Sequence, residues 1–350
     1  MMKLVCLTYF FYAVGAFTPC SMIAPGYSIS RMQSLRMQTG GGATSQVTVA
    51  MPTAEDWLAV CEPALRKTTL GMLRAVKEVA YKIRVQNQGA VGGDPLDIVA
   101  NTAIFNCLKS SGTVCIGSSE ENPTEDELTS TGSYSTAFSP LDGSDIIENS
   151  NVFGTIWGTW ESRGLTGITG RELKAAGIAT YGPKTSVTLA VSSMDYAHEF
   201  VLIDDFSARH GEWVKTNEFT MINEGKLFAP GNLRATVDNP GYMNLFNYWN
   251  ENQYQLRYSG GLVPDVNQII VKGKGVFVNA ASKRNPAKLR LLYELAPIGF
   301  IVEKAGGKTS AGDGSVLDVP IESLEQTCQI ALGSPGEVER FEKLVGNQFI

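Results

Sequence analysis

Acidic residues at four places along the chain could converge on one chemistry. Asp142 follows an extended run, Tyr134–Phe138, and enters an Asp-Gly-Ser turn from which a second apolar run, Val152–Trp160, returns. A carboxylate beside free backbone N–H groups at the mouth of a sheet suits a hard metal ion and a phosphate. The same Asp-Gly pair is also an ordinary reversal signal. Glu120 and Glu121 follow a strand-like run ending at Ile116, and Asp97 opens a helix. Glu294 lies among Leu291, Leu292, Leu295 and Ala296, where a carboxylate is costly unless it is paired or bound to metal. Each position has a plain structural alternative. Asp97 would cap its helix, the Glu pair would sit in a solvated loop, and Glu294 would pair with Arg290 four residues earlier.

The elements that must position these groups follow from periodicity. Thr53 with Glu55 and Asp56 marks a helix start, and Leu70, Leu73, Val76, Val79 and Ile83 keep helical spacing through Arg84. Gly89 to Pro95 breaks that helix, and a second runs from about Pro95 to Lys109. Strand-like runs are Thr113–Ile116, Tyr134–Phe138, Val152–Trp160, Ser186–Val191, Phe200–Ile203 and Trp213–Lys215, with Arg171–Tyr181 predicted helical between two of them. From Pro240 a helix reaches Asn252, strands lie at Gln255–Tyr258 and Val276–Val278, and an apolar helix spans Lys288–Ala305 with a kink or a break at Pro297. A last helix begins after Pro335.

Composition narrows the function classes. At 43% hydrophobic and 18% charged, the 350 residues are those of an ordinary folded protein long enough for two domains. The net charge of −6 leaves no diffuse basic surface for nucleic acid. Only His198 and His210 carry imidazoles, which argues against a His-based triad or a multi-imidazole zinc site; both are expected on a surface or hairpin. Six cysteines occur without a Cys-x-x-Cys pair, so Cys61, Cys107, Cys115 and Cys328 are expected as small apolar side chains in a reducing compartment.

The first acidic residue is Glu55. Ahead of it, Lys3 precedes an apolar run, Leu4–Ala16, too short to span a bilayer, and then an acid-free, Ser-rich stretch containing Arg31 and Arg36. This is signal-peptide architecture followed by a segment resembling a transit peptide. The two parts resemble the bipartite presequences of algae whose plastids lie behind extra membranes. Residues 1–50 are therefore expected to be a plastid-targeting presequence, leaving a stromal chain of net charge about −9 with no membrane span.

Longer blocks carry a resemblance. Thr-Val-Cys-Ile-Gly-Ser-Ser-Glu-Glu (113–121), Pro-Leu-Asp-Gly-Ser (140–144) and Lys-Leu-Arg-Leu-Leu-Tyr-Glu (288–294) before Glu-Lys-Ala-Gly-Gly are similar to the fructose-1,6-bisphosphatase superfamily, over Asp56–Phe349. Residues 225–236, 256–272 and 181–185 most resemble its sedoheptulose-1,7-bisphosphatase branch. The resemblance implies an α/β fold layered αβαβα, with a metal-binding catalytic domain at 51–220 and a C-terminal sugar-phosphate-binding domain at 221–350. It also implies hydrolysis of the 1-phosphate of a sugar bisphosphate with two or more Mg²⁺ ions, in a homo-oligomer. On that mapping Glu120, Glu121, Asp142, Glu294 and the Leu141 carbonyl hold metal, while Asp97 and Glu121 orient the attacking water. Asp142, Gly143 and Ser144 meet the reacting end of the substrate, with Arg290 near its phosphate. Asn223, Arg257, Tyr258 and Lys288 match sugar- and far-phosphate-contacting positions. Fructose 1,6-bisphosphate is the alternative substrate, alone or in dual specificity.

Two departures stand out. The superfamily pattern is Asp-Pro-Leu-Asp-Gly-Ser-Ser, and this chain has Ser139 for the first Asp and Asp145 for the last Ser. A neutral hydroxyl cannot replace the missing charge, so weaker metal binding, or an impaired sugar-phosphate-binding relative, is expected unless Asp145 compensates. The segment Gly89–Asp94 also lacks the cysteine pair of plant plastid relatives, so no thioredoxin control through that pair is expected.

Overall fold

The computed structural model describes residues 51–87, 95–143, 152–205 and 207–347. The expected presequence, Asp94, Ser144 and Asp145 lie outside these.

The helix predicted from Thr53 to Arg84 is two. Thr53 and Asp56 exchange capping-box bonds, each 3.1 Å, around α1 (Ala54–Trp57). The chain then restarts as α2 (Pro63–Asn87), where Glu62 caps the first turn through the N–H groups of Ala64 and Leu65. Leu65, Met72, Leu73, Val76, Val79 and Ile83 form the buried stripe of α2. Beside it lies α3 (Leu96–Ser111), which ends on Gly112 at φ 67°, the left-handed conformation glycine adopts without a Cβ penalty.

Next come β1 (Val114–Ser119), β2 (Asp126–Glu127), β3 (Tyr134–Asp142), β4 (Phe153–Trp160), β5 (Ile168–Thr169), β6 (Leu173–Tyr181), β7 (Thr185–Val191), β8 (Ala197–Leu202) and β9 (Trp213–Phe219). All but β5 form one sheet in the order β2–β1–β3–β4–β6–β7–β8–β9. It is antiparallel except where β1 runs parallel to β3. The stretch predicted helical at Arg171–Tyr181 is largely β6. Its Ala175, Ala176, Gly177 and Ala179 look like helix formers but are small for packing: a Cβ on Gly177 would stand 2.0 Å from the Trp157 indole. His198 is not a surface residue. It is buried edge-on against Trp57 with ring centroids 4.8 Å apart, and burial, aided by the Lys215 cation, lowers its pKa to about 4.

The rest of the chain supplies β10 (Asn223–Gly231), α4 (Pro240–Glu251), β11 (Gln255–Leu256), α5 (Leu262–Lys272), β12 (Lys274–Asn279), α6 (Ala296–Lys304), β13 (Lys308–Ser310), β14 (Pro320–Ile321), β15 (Ile330–Gly333) and α7 (Pro335–Leu344). The second sheet has the order β11–β10–β12–β15–β13, and β14 pairs with β5. Of the two alternatives at Pro297 the structure has the break and not the kink: Pro297 sits in the first turn of α6, where its missing N–H costs nothing.

Three cores define the layers. One lies between α2–α3 and the first sheet. A second lies between the two sheets, filled by α5, α6 and the residues before α6. The third lies between the second sheet and α4–α7. The architecture is the expected αβαβα stack. Cys61, Cys107, Cys115 and Cys328 are buried and unbridged, as expected of apolar thiols.

Candidate functional site

Asp142 comes to its place through a bulge. Ala137 on β3 faces the middle layer, so strict alternation would put Leu141 there too. The β3–β4 register slips between Ser139 and Asp142, and Leu141 instead joins the α2–α3 core. Asp142 then accepts a 2.6 Å hydrogen bond from the Val263 N–H in the first turn of α5. Opposite Asp142 on β4 is Gly154, where a Cβ would collide with the Val263 side chain at 2.4 Å. A glycine there admits the helix end to the sheet. Gly143, at φ 83°, begins the turn beyond.

Glu294 is positioned by an unusually wide turn, Leu291–Leu295, in which the Leu295 N–H reaches back five residues to the Arg290 carbonyl at 3.0 Å. Its carboxylate, 5% exposed, accepts the Arg290 backbone N–H at 2.5 Å. The Arg290 guanidinium turns away to Glu325 at 3.3 Å, so the simple Arg290–Glu294 side-chain pair is absent. The expected Lys288–Ala305 helix is thus a loop, this wide turn and α6. Glu120 extends the β1–β3 pairing by one bond, donating its N–H to the Phe138 carbonyl at 3.0 Å. Asp97 lies in the first turn of α3.

Charge joins these positions. Burial, and then the Glu120 and Asp142 charges, raise the Glu294 pKa well above the carboxylate range against the opposing Arg290 N–H. Burial, with Glu120 and Asp265 behind it, raises Asp142 to about 7 despite the Val263 bond. Glu121 is raised by burial and by the charges of Asp97 and Glu120. Asp97, Glu120, Glu121, Asp142 and Glu294 therefore form one connected field of mutually repelling carboxylates. Such a donor set, all hard oxygen and short of cations, fits Mg²⁺. Among the described residues, however, no three of these side chains close round a single point as they stand.

The substrate-side residues divide. Arg257 and Tyr258 follow β11, and the Arg257 N–H bonds the Phe228 carbonyl at 2.9 Å. Tyr258 is half exposed and lies within reach of the charges of Asp142 and Asp265. Lys288 is exposed two residues before Arg290. Asn223 does not belong with them. It is at the amino end of β10, its N–H bonded to Gly273 beyond the last turn of α5, whereas Asp142 meets the first turn. Ten helical residues separate those ends by about 15 Å. The strand runs on to Gly231, so the residue leaving its carboxyl end is Asn232.

Sequence reasoning missed α5, β10 and four residues here. Asp265, buried in the first turn of α5, accepts the Ser259 N–H at 2.8 Å and fixes the loop after Tyr258. The Leu-Val-Pro-Asp run, with Pro and Asp in a first turn, was the signal for that helix. Asn232, at φ 45°, donates to the Ala280 and Asn285 carbonyls at 2.8 and 3.1 Å, and Arg234 follows it. The Tyr242 hydroxyl holds the Gly231 carbonyl at 2.6 Å. Tyr242→Phe is expected to cost about 1–2 kcal/mol, read as a lower urea midpoint; an unchanged midpoint would mean that this bond contributes nothing.

Residues 77–218 match the model of the fructose-1-6-bisphosphatase N-terminal domain and residues 221–346 that of its C-terminal domain. Chloroplastic sedoheptulose-1,7-bisphosphatase of Spinacia oleracea is 43% identical over 81% of this chain and 75% of its own. The Chlamydomonas reinhardtii protein of the same name is 44% identical over 81% and 74%. The crystal structure of Leishmania major fructose-1,6-bisphosphatase in holo form superimposes with a TM-score of 0.77 at 26% identity, over 84% of this chain and 99% of that one.

Proposed function

The chain belongs to the fructose-1,6-bisphosphatase family of phosphoric monoester hydrolases, and we propose that it releases the 1-phosphate of sedoheptulose 1,7-bisphosphate, giving sedoheptulose 7-phosphate. The observation that carries this reading is the field of buried Glu294 with half-buried Asp142 and Glu120. Carboxylates held together against their own repulsion need a bound cation to compensate them. The preference for the seven-carbon sugar is supported by the sedoheptulose-1,7-bisphosphatase relatives at 43% and 44% identity.

Glu120, Glu121, Asp142, Glu294 and the Leu141 carbonyl would hold Mg²⁺, in two or more ions. When bound, these ions neutralise phosphoryl charge and acidify water. Asp142 anchors the reacting end because α5 fixes its carboxylate. The backbone N–H groups after Asp142 cradle the phosphoryl oxygens, and Arg290 adds charge-assisted bonds. Glu121, its proton affinity raised beside Asp97, accepts the proton of the attacking water. Arg257, Tyr258 and Lys288 hold the distant phosphate. Chloroplastic relatives support a plastid address through residues 1–50.

The test is phosphate release by the mature chain from both ketose bisphosphates across a Mg²⁺ series. A higher kcat/KM for the seven-carbon substrate is expected, and release from neither at any Mg²⁺ concentration would overturn the reading. Ser139 favours a qualified version. It is 3% exposed, on the same face of β3 as Ala137 in the middle layer where Glu294 lies, and it brings no charge. Ser139→Asp is expected to lower the half-saturating Mg²⁺ concentration about tenfold, since ligand charge sets affinity. Superimposable Mg²⁺ curves would show that this position does not limit metal binding.

A further inference from the structure

Strands β10, β11 and β12 are mutually parallel, so their carboxyl ends open on one edge of the second sheet. Open α/β sheets bind ligands outside such edges. Three segments leave here: 232–237 after β10, 257–261 after β11 and 280–290 after β12. In a chain of net charge −6 they carry Arg234, Arg257, Lys283, Arg284, Lys288 and Arg290. In the free protein Arg290 pairs with the exposed Glu325 and Arg257 bonds its neighbour's carbonyl. Among the described residues no acidic side chain pairs with Arg234, although it is exposed on a rigid turn. Asn232 pins that turn to Ala280 and Asn285, and the Asn285 amide reaches the Arg234 carbonyl at 3.3 Å.

We infer that Arg234 binds the phosphate at the far end of the substrate, taking the place in the site that Asn223 does not fill. This rests on the sugar-bisphosphate reading above and adds a residue to it. Tyr258, on the segment that leaves the same sheet edge, lies within reach of the Asp142 and Arg234 charges alike. Asp142 is hydrogen-bonded to Val263, just past the 257–261 segment, so a ligand with one phosphoryl group at Asp142 that extends along this edge reaches the turn of Arg234. A guanidinium there offers two parallel N–H donors to phosphate oxygens, which an amide or a hydroxyl cannot match.

Arg234→Met keeps the stem and removes the charge; Arg234→Lys keeps the charge and removes the fork. Two readouts are needed. With sedoheptulose 1,7-bisphosphate and Mg²⁺, Arg234→Met is expected to raise KM about tenfold to a hundredfold with kcat within about threefold, and Arg234→Lys to fall between it and wild type. By calorimetry in EDTA, sedoheptulose 7-phosphate should bind Arg234→Met more weakly by a similar factor, with thermal melting unchanged. Unchanged KM and unchanged affinity, or a loss confined to kcat, would overturn the assignment. If the wild type releases no phosphate, the hydrolytic reading fails but calorimetry still decides this one. Weaker binding by Arg234→Met upholds it; equal binding, or none by the wild type, ends it.

Discussion

Glu294→Gln is expected to lower kcat/KM for phosphate release by about a thousandfold or more while making the metal-free protein more stable. The amide oxygen can still accept the Arg290 N–H, now made at 2.5 Å, so the wide turn before α6 keeps its shape. What disappears is a buried carboxyl whose ionisation Glu120 and Asp142 already oppose. In the free protein that loss is a relief, because nothing desolvated must be ionised. In the proposed site it removes a metal ligand from the point where phosphoryl charge must be met. Metal-ion charge stabilisation contributes several kcal/mol, and each 1.36 kcal/mol is about tenfold in rate. Steady-state assays with thermal melts in EDTA give both numbers. Lower activity with lower melting temperature would point to a structural role. Normal activity would remove Glu294 from the chemistry.

That opposition explains why Glu294 is legible in the sequence alone. A carboxylate amid Leu291, Leu292 and Leu295 breaks the helix's own pattern, and sites are where local rules are broken. Asp142 is legible in part: the Asp-Gly turn can be read, but its clamp cannot, because Val263 lies 121 residues further along. The bulge that turns Asp142 toward α5 leaves no mark in the alternation of β3, where both faces are buried. Asn223 misleads for a related reason. Which residue leaves a strand's carboxyl end depends on how far the strand runs, and β10 begins with exposed, polar Asn223 and Glu224 that do not resemble a strand. Small residues hide β6, since the Trp157 indole that demands them belongs to another strand. The layered order is readable from the family's blocks of sequence. The partners across layers are not, because they are set by tertiary packing.

The other large effect is a pH dependence specific to Asp142. In the folded, metal-free chain its pKa is about 7 against an ordinary 3.8. Above pH 4 the unfolded chain gives up this proton while the folded chain retains it until about pH 7. The unfolded state therefore gains steadily across that window, and stability is lost as pH rises. The full loss is about 4 kcal/mol, at 1.36 kcal/mol per unit. A raw stability curve would blur this, because His198, with a pKa lowered to about 4, acts in the opposite sense. Its folded form stays neutral while the unfolded form takes up a proton below about pH 6.5, so its contribution improves stability as pH rises to that point. Comparing Asp142→Asn with wild type, both in EDTA, cancels His198. The variant is expected to be the more stable by about 2 kcal/mol at pH 5 and about 4 kcal/mol at pH 8. Urea unfolding at the two pH values reads the difference; a gap that stays flat or narrows toward pH 8 would mean that Asp142 is not held against its own charge. Mg²⁺ should close the gap at pH 8, because a cation that binds only the ionised folded form stabilises wild type and leaves the asparagine variant behind.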